Sequence, residues 1–245
     1  MIPATQLVKS DLLEVWMTIL RNRVSSPSSY RGALRNVSFH LFCVALKEFP
    51  VAPYSVNTSL DEVYEGRVFA KPLACATIFP SGLVMDEALR LLLPETRSYQ
   101  IVMYPEVGTS RPLLGLNVLP KDCSKYVWLV ADPACATGGL AVATIKALFS
   151  RGAGDIRYVC VVAAPEGLQA LRNEFGSRDL KVFTAAIDRG LTDGSGNVPS
   201  GYIVPGFGDV GDRQFGTGDA YDGDDGTLKG FYRGTGVGLN ISEMG

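Results

Sequence analysis

The chain has 245 residues, 47% of them hydrophobic and 20% charged, with a formal net charge of −2. That is ample chain for one large domain with its own core, and a composition unlike that of disordered or fibrous proteins. A balance this close to neutral excludes a protein built to coat nucleic acid, since nothing supplies a broad basic field.

Five cysteines (Cys43, Cys75, Cys123, Cys135 and Cys160) show no Cys-x-x-Cys spacing. They are expected to be reduced and mostly buried, not a disulfide frame or a zinc site. The sole histidine, His40, is expected within a helix, which leaves no basis for histidine-based metal or triad chemistry. No run reaches the eighteen or so apolar residues of a membrane span. Asp11 and Glu14 make the N-terminus a poor signal or transit peptide, so the cytosol is the expected compartment, with an organelle left open.

Taken in order, residues 7–24 place Leu12, Val15, Trp16, Ile19 and Leu20 at helical spacing. Ser26-Pro27 is a helix-start signal, and Leu34, Val37, Leu41, Val44 and Ala45 carry that second helix towards Phe49-Pro50. The stretch 51–66 reads as irregular, followed by strands at 67–70 and 73–79. A helix over 84–93 stops at Pro94, a strand covers 99–104, and a Gly- and Pro-rich loop fills 105–120. Beyond it, strands at 157–163 and 182–186 flank a helix ending near Phe175. Strands alternating with helices predict a mainly parallel sheet with helices on both faces.

Between those halves lies the stretch the chain is organised around. Val127 to Ala131 is a short apolar run, long enough for one buried strand, and it stops at Asp132-Pro133. Ala136-Thr137-Gly138-Gly139 follows, then a helical pattern through Val142, Ile145, Leu148 and Phe149. A strand, a small-residue loop and a helix N-terminus together make a phosphate cradle. Glycines let the backbone approach, and free N–H groups carry partial positive charge. Asp132, at the carboxyl end of the strand, stands one loop-width away, where an acid can accept from ribose hydroxyls.

These residues carry a family resemblance. Asp132-Pro133-Ala134-Cys135-Ala136-Thr137-Gly138-Gly139 resembles the PRPP-binding motif of uracil phosphoribosyltransferases. Residues 161–167 (Val-Val-Ala-Ala-Pro-Glu-Gly) and 184–188 (Thr-Ala-Ala-Ile-Asp) look like that family's next two strand ends. The block from Gly201 through Tyr202, Ile203, Pro205, Gly208, Asp209 and Arg213 to Thr217 is similar to its uracil-binding segment. Leu20-Arg21-Asn22-Arg23 and the Leu-Pro at 119–120 match more weakly.

The resemblance implies an α/β phosphoribosyltransferase-type parallel sheet flanked by helices, with an N-terminal helical segment and a C-terminal uracil-binding hood. It divides the chain into 1–66, a core over 67–217 and a Gly-rich tail over 218–245. The implied reaction is displacement of pyrophosphate from PRPP by a uracil nitrogen, giving UMP, with Mg2+ accompanying PRPP. Asp132 and Asp209 are the implied catalytic acids. Pro133, Ala134, Cys135, Ala136, Thr137, Gly138, Gly139 and Leu140 complete the PRPP and 5-phosphate loop. Tyr202, Ile203, Gly208, Asp209 and Val210 are the implied uracil readers, and no protein metal site is expected. Backbone groups suit uracil's alternating donors and acceptors, because the fold fixes them.

The sequence departs from that pattern at the pyrophosphate. The family uses two arginines on loops after successive strands, and here Pro80 and Pro105 stand in their places, with Leu140 where serine is common. Stabilising charge that builds on a leaving group is the main catalytic task in such a transfer. Charge-assisted hydrogen bonds contribute roughly 1.5–3 kcal/mol each. Losing two costs about 3–6 kcal/mol, on the order of a hundred- to ten-thousand-fold in rate. Proline also fixes φ, so neither loop is expected to keep the family geometry. Arg111 and Lys71 are the nearby cations that could compensate.

Two readings stay open: a slow or rescued uracil phosphoribosyltransferase, and a non-catalytic subunit that still binds a nucleotide such as UMP. The tail, with Phe231, Tyr232, Leu239 and Ile241 among eight glycines, is a candidate contact to another chain, and a homodimer or larger assembly is expected. RNA binding lacks the basic or aromatic stripe it needs.

Overall fold

The computed structural model describes residues 4–47, 49–105, 112–114, 119–195 and 199–217. Arg111 and the 218–245 tail lie outside them. The chain opens with strand β1 (Ala4–Leu7) and helices α1 (Asp11–Arg21) and α2 (Pro27–Leu46). Ser10 caps α1 by accepting from the Leu13 N–H at 3.2 Å, and Asp11 and Glu14 occupy its first turn, where the helix dipole favours acids. Ser26 caps α2 ahead of Pro27, as the start signal predicts. A hairpin follows, β2 (Val51–Asn57) and β3 (Val63–Phe69), then β4 (Leu73–Phe79), α3 (Leu83–Leu92) and β5 (Arg97–Pro105). The second half runs β6 (Pro112–Leu114), β7 (Val127–Ala131), β8 (Ala134–Cys135), α4 (Gly139–Ser150), β9 (Ile156–Ala163), α5 (Pro165–Phe175) and β10 (Leu180–Ile187). It ends with β11 (Gly190–Leu191), β12 (Ile203–Val204) and the short α6 (Val210–Phe215).

The main sheet runs β1-β10-β9-β7-β4-β5-β6, parallel except for β6. The α/β architecture is therefore as expected. Alternation along β7 sorts its residues to two cores. Leu129 and Ala131 face the α1–α2–α3 side, and Trp128 and Val130 face the α4–α5 side. Every residue of β7 and β9 is buried; β7 reads as an unbroken apolar run for that reason, whereas β9 also buries Arg157.

Three expectations need correction. The first strand was not expected: residues 4–7 add an edge to β10, and the first helix starts only at Asp11. The stretch 51–66 is not irregular but belongs to the β2–β3 hairpin, paired from Val51↔Phe69 to Asn57↔Val63. Nearly all its residues are exposed on both faces, so it has no period-two burial signal to read. The strand expected at 67–70 is the end of β3.

The chain passes from β4 outwards to β5, then returns to place β7 on the other side of β4. Ligands of open α/β sheets bind beyond the strand ends at such a reversal.

Candidate functional site

Beyond the carboxyl ends of β4 and β7 lies a cavity of about 380 Å³. Its walls include Pro80 and Ser81 after β4, Asp132 after β7, Ala134, Ala136 and Leu140 from the loop into α4, and Tyr202 to Ile203 with Gly206 to Gly211 from the C-terminal segment. Three blocks far apart in sequence thus meet at one place. A smaller space of about 80 Å³ adjoins it, lined by Asp132, Ala134 to Ala141 and Tyr158.

Asp132 is 5% exposed and continues the β7 ladder, its N–H donating to the Val159 carbonyl at 3.2 Å. Its carboxylate accepts from the Ser81 hydroxyl at 3.1 Å, a bond spanning the reversal between β4 and β7. Burial pushes the Asp132 carboxyl up to about 7; the hydrogen bonds from Ser81 and the Ala134 backbone pull the other way. Among the described residues lining the larger cavity, none is lysine or arginine.

The loop into α4 is held tightly from behind. Gly138 has φ 80 and caps the helix without a side-chain hydrogen bond of its own, and the Gly139 N–H donates to the Thr137 hydroxyl at 3.5 Å. A Cβ on Gly167, at the start of α5, would lie 2.6 Å from the Ala136 carbonyl oxygen and 2.7 Å from that of Cys135. Glycine at 167 therefore sets how closely α5 approaches the loop. Pro133 lines neither space; its carbonyl accepts from the N–H groups of Val161 and Val162. Cys135 is buried and Thr137 is exposed.

The C-terminal segment faces the loop across the cavity. Asp209 caps α6, accepting from the Asp212 N–H at 2.9 Å, and accepts from the Tyr202 hydroxyl at 3.3 Å. Burial first, and Asp209 second, raise the Tyr202 phenol above its ordinary value. Phe207 is buried and stacks on Tyr30 at 6.3 Å between ring centroids.

The structure brings together all the expected readers: Tyr202, Ile203, Gly208, Asp209 and Val210 line one cavity with Asp132. Several residues with work to do here were not singled out from sequence. Ser81 contacts Asp132. Buried Gln214 donates to the Pro80 and Ser81 carbonyls at 3.3 and 3.5 Å, tying their loop to α6. Arg21, Asp188 and Arg213 hold the C-terminal segment from below. Four of the five fall inside the family-like blocks and Ser81 directly follows Pro80, but only their contacts reveal a role. Lys71, named as a compensating cation, is corrected: it precedes β4 and borders a separate space with Phe69 and Arg97. Seven strand residues, about 23 Å, separate it from the Pro80 end.

A family model described as uracil phosphoribosyltransferase matches residues 7–217. The chain belongs to the uracil phosphoribosyltransferase family. A uracil phosphoribosyltransferase from Dictyoglomus thermophilum is 37% identical over 212 residues, 86% of this chain and 98% of that protein. One from Streptococcus pneumoniae is 33% identical over the same shares. A solved Aquifex aeolicus structure shares the fold at TM-score 0.78 and 23% identity, covering 88% of this chain and 99% of that one. The fold is thus that of an α/β phosphoribosyltransferase, and the family match ends where the Gly-rich tail begins. Among the described residues no helix is long and apolar enough to cross a membrane.

Proposed function

We propose that this protein binds a uridine nucleotide in the 380 Å³ cavity and carries out uracil phosphoribosyl transfer only weakly, because the pyrophosphate side lacks its cations. One observation carries this reading. A ribose-facing acid, a helix N-terminus and a backbone-rich segment converge on a space whose described walls hold two carboxylates and no lysine or arginine. Asp132 accepts from the ribose hydroxyls, the 136–140 loop donates to the 5-phosphate, and backbone groups of 203 and 208–210 read the base. UMP needs only these three contacts. PRPP also needs its pyrophosphate held, and Pro80 offers neither charge nor donor.

Mg2+ enters this reading with PRPP. Among the described residues no three metal-ligating side chains cluster, and magnesium is commonly held by one or two carboxylates plus substrate phosphates. Asp132 and Asp209 are the carboxylates at hand; the ion would add positive charge on the pyrophosphate side. A non-catalytic nucleotide-binding subunit is the second reading, favoured by the same cation-free wall. Self-association belongs to either. Tyr54, Val56, Val63, Tyr64 and Val68 are exposed on a two-stranded hairpin, an element only marginally stable by itself in water.

Calorimetric titration with UMP and with magnesium-PRPP, alongside conversion of labelled uracil, tests the proposal. UMP is expected to bind, with PRPP binding and turnover weak. Strong PRPP binding with rapid UMP formation would refute the impairment, and absence of UMP binding would remove the site altogether.

A further inference from the structure

The segment proposed to read the base does so with backbone groups, so its selectivity depends on what keeps that backbone still. The bend at 205–208 uses backbone that only glycine adopts without strain: Gly206 and Gly208 have φ of 62 and 78. A Cβ on Gly206 would lie 2.2 Å from the Ile203 carbonyl oxygen. Both backbone groups of Gly206 are engaged by a part-buried ion pair. Its carbonyl accepts from Arg21 Nη1 at 2.7 Å, and its N–H donates to Asp188 Oδ2 at 2.7 Å. Arg21 and Asp188 in turn form a fork, Nη1 to Oδ2 at 2.9 Å and Nη2 to Oδ1 at 2.7 Å. The side chains are 27% and 5% exposed.

The result is a closed circuit joining the end of α1, the end of β10 and the turn of the hood. Arg213 adds a separate strap, donating to the carbonyls of Leu20, Asn22 and Phe207. Neither Arg21 nor Asp188 lines the cavity, whereas Gly206 and the five residues after it do.

We infer that Arg21 and Asp188 are positioning residues, a clasp on Gly206 that orients the 206–210 backbone and so sets discrimination between uracil and other pyrimidines. The inference rests on the nucleotide reading above. Preorganised donors and acceptors distinguish ligands only while their geometry is fixed, and a shift of the segment affects the base and spares the phosphate loop. A guanidinium is required because one planar group must serve a carboxylate and a carbonyl together; an ammonium is a point charge that cannot reproduce the fork.

The test titrates wild type, Arg21→Lys, Asp188→Asn and Leu13→Ala with UMP, CMP and ribose 5-phosphate. Leu13, also on α1, is fully buried and makes no part of the clasp, so its truncation lowers stability alone. For R21K and D188N, UMP affinity is expected to fall about tenfold, the loss of one charge-assisted hydrogen bond, and the UMP:CMP ratio to fall with it. Ribose 5-phosphate affinity should stay put, and L13A should melt lower with the ratio intact. A preserved ratio in R21K and D188N overturns the clasp, as does a parallel fall for all three ligands. Wild-type protein that binds neither UMP nor ribose 5-phosphate overturns the nucleotide reading and this inference with it.

Discussion

The two sides of the cavity are built differently. On the side proposed to hold ribose and base, each element is braced: Asp132 lies in the β7–β9 ladder, α5 supports the 136–138 backbone at Gly167, and an ion pair holds Gly206. On the other side the loop after β4 carries Pro80 and is tied inward, through Ser81 to Asp132 and through Gln214 to α6. Its polar groups serve the protein instead of facing outwards as donors to an anion. On the proposed reading, the difference teaches that binding and turnover separate within one fold. Recognition of a nucleotide then draws on fixed backbone groups, whereas stabilising a departing pyrophosphate draws on added positive charge.

The strongest way to break the contrast is to supply the missing charges. Pro80→Arg combined with Pro105→Arg is expected to raise labelled-uracil conversion by about a hundred- to ten-thousand-fold, from two charge-assisted hydrogen bonds. An unchanged rate and unchanged magnesium-PRPP affinity would mean that the cations are not what limits turnover.

Asp132 sharpens the braced side. Its folded value of about 7 lies above that of an unfolded aspartate, so between about pH 4 and 7 the folded state holds a proton that the unfolded chain has lost. This acid therefore lowers stability as pH climbs through that window, by up to the order of 4 kcal/mol, and adds no further change above it. Denaturant unfolding across pH is the measurement. Asp132→Asn should gain on wild type from about pH 4 to 7 and hold a constant difference beyond. Parallel pH profiles for the two proteins would exclude this account.

The smallest effect is steric. Gly167→Ala places a methyl against the Ala136 and Cys135 carbonyls, an overpacking expected to cost about 1–3 kcal/mol, or roughly 2–12 °C in melting temperature. Because it displaces the phosphate loop, UMP and ribose 5-phosphate should weaken together, unlike the outcome for Arg21→Lys. A melting temperature equal to wild type would show that the loop yields without cost.

Much of this was legible in the chain. The stretches 73–79 and 127–131 marked buried strands with the right ends, Ser26-Pro27 marked the start of α2, and the glycines after Asp132 marked a strand-to-helix turn. These are local signals, because burial on both faces of a strand or a helix cap is written in neighbouring residues. The edge strand 4–7 was too short to signal itself, and the hairpin 51–69 carried no burial pattern because almost nothing covers it. Sequence determined which residue types lie at the strand ends, and that Pro80 and Pro105 stand where the resemblance expects arginines. Only the tertiary structure decided that Ser81 meets Asp132 across 51 residues, that Arg21 meets Asp188 across 167, and that Lys71 is at the wrong end of its strand. Such pairings follow from strand order and crossover direction, which bring together residues that share no local pattern.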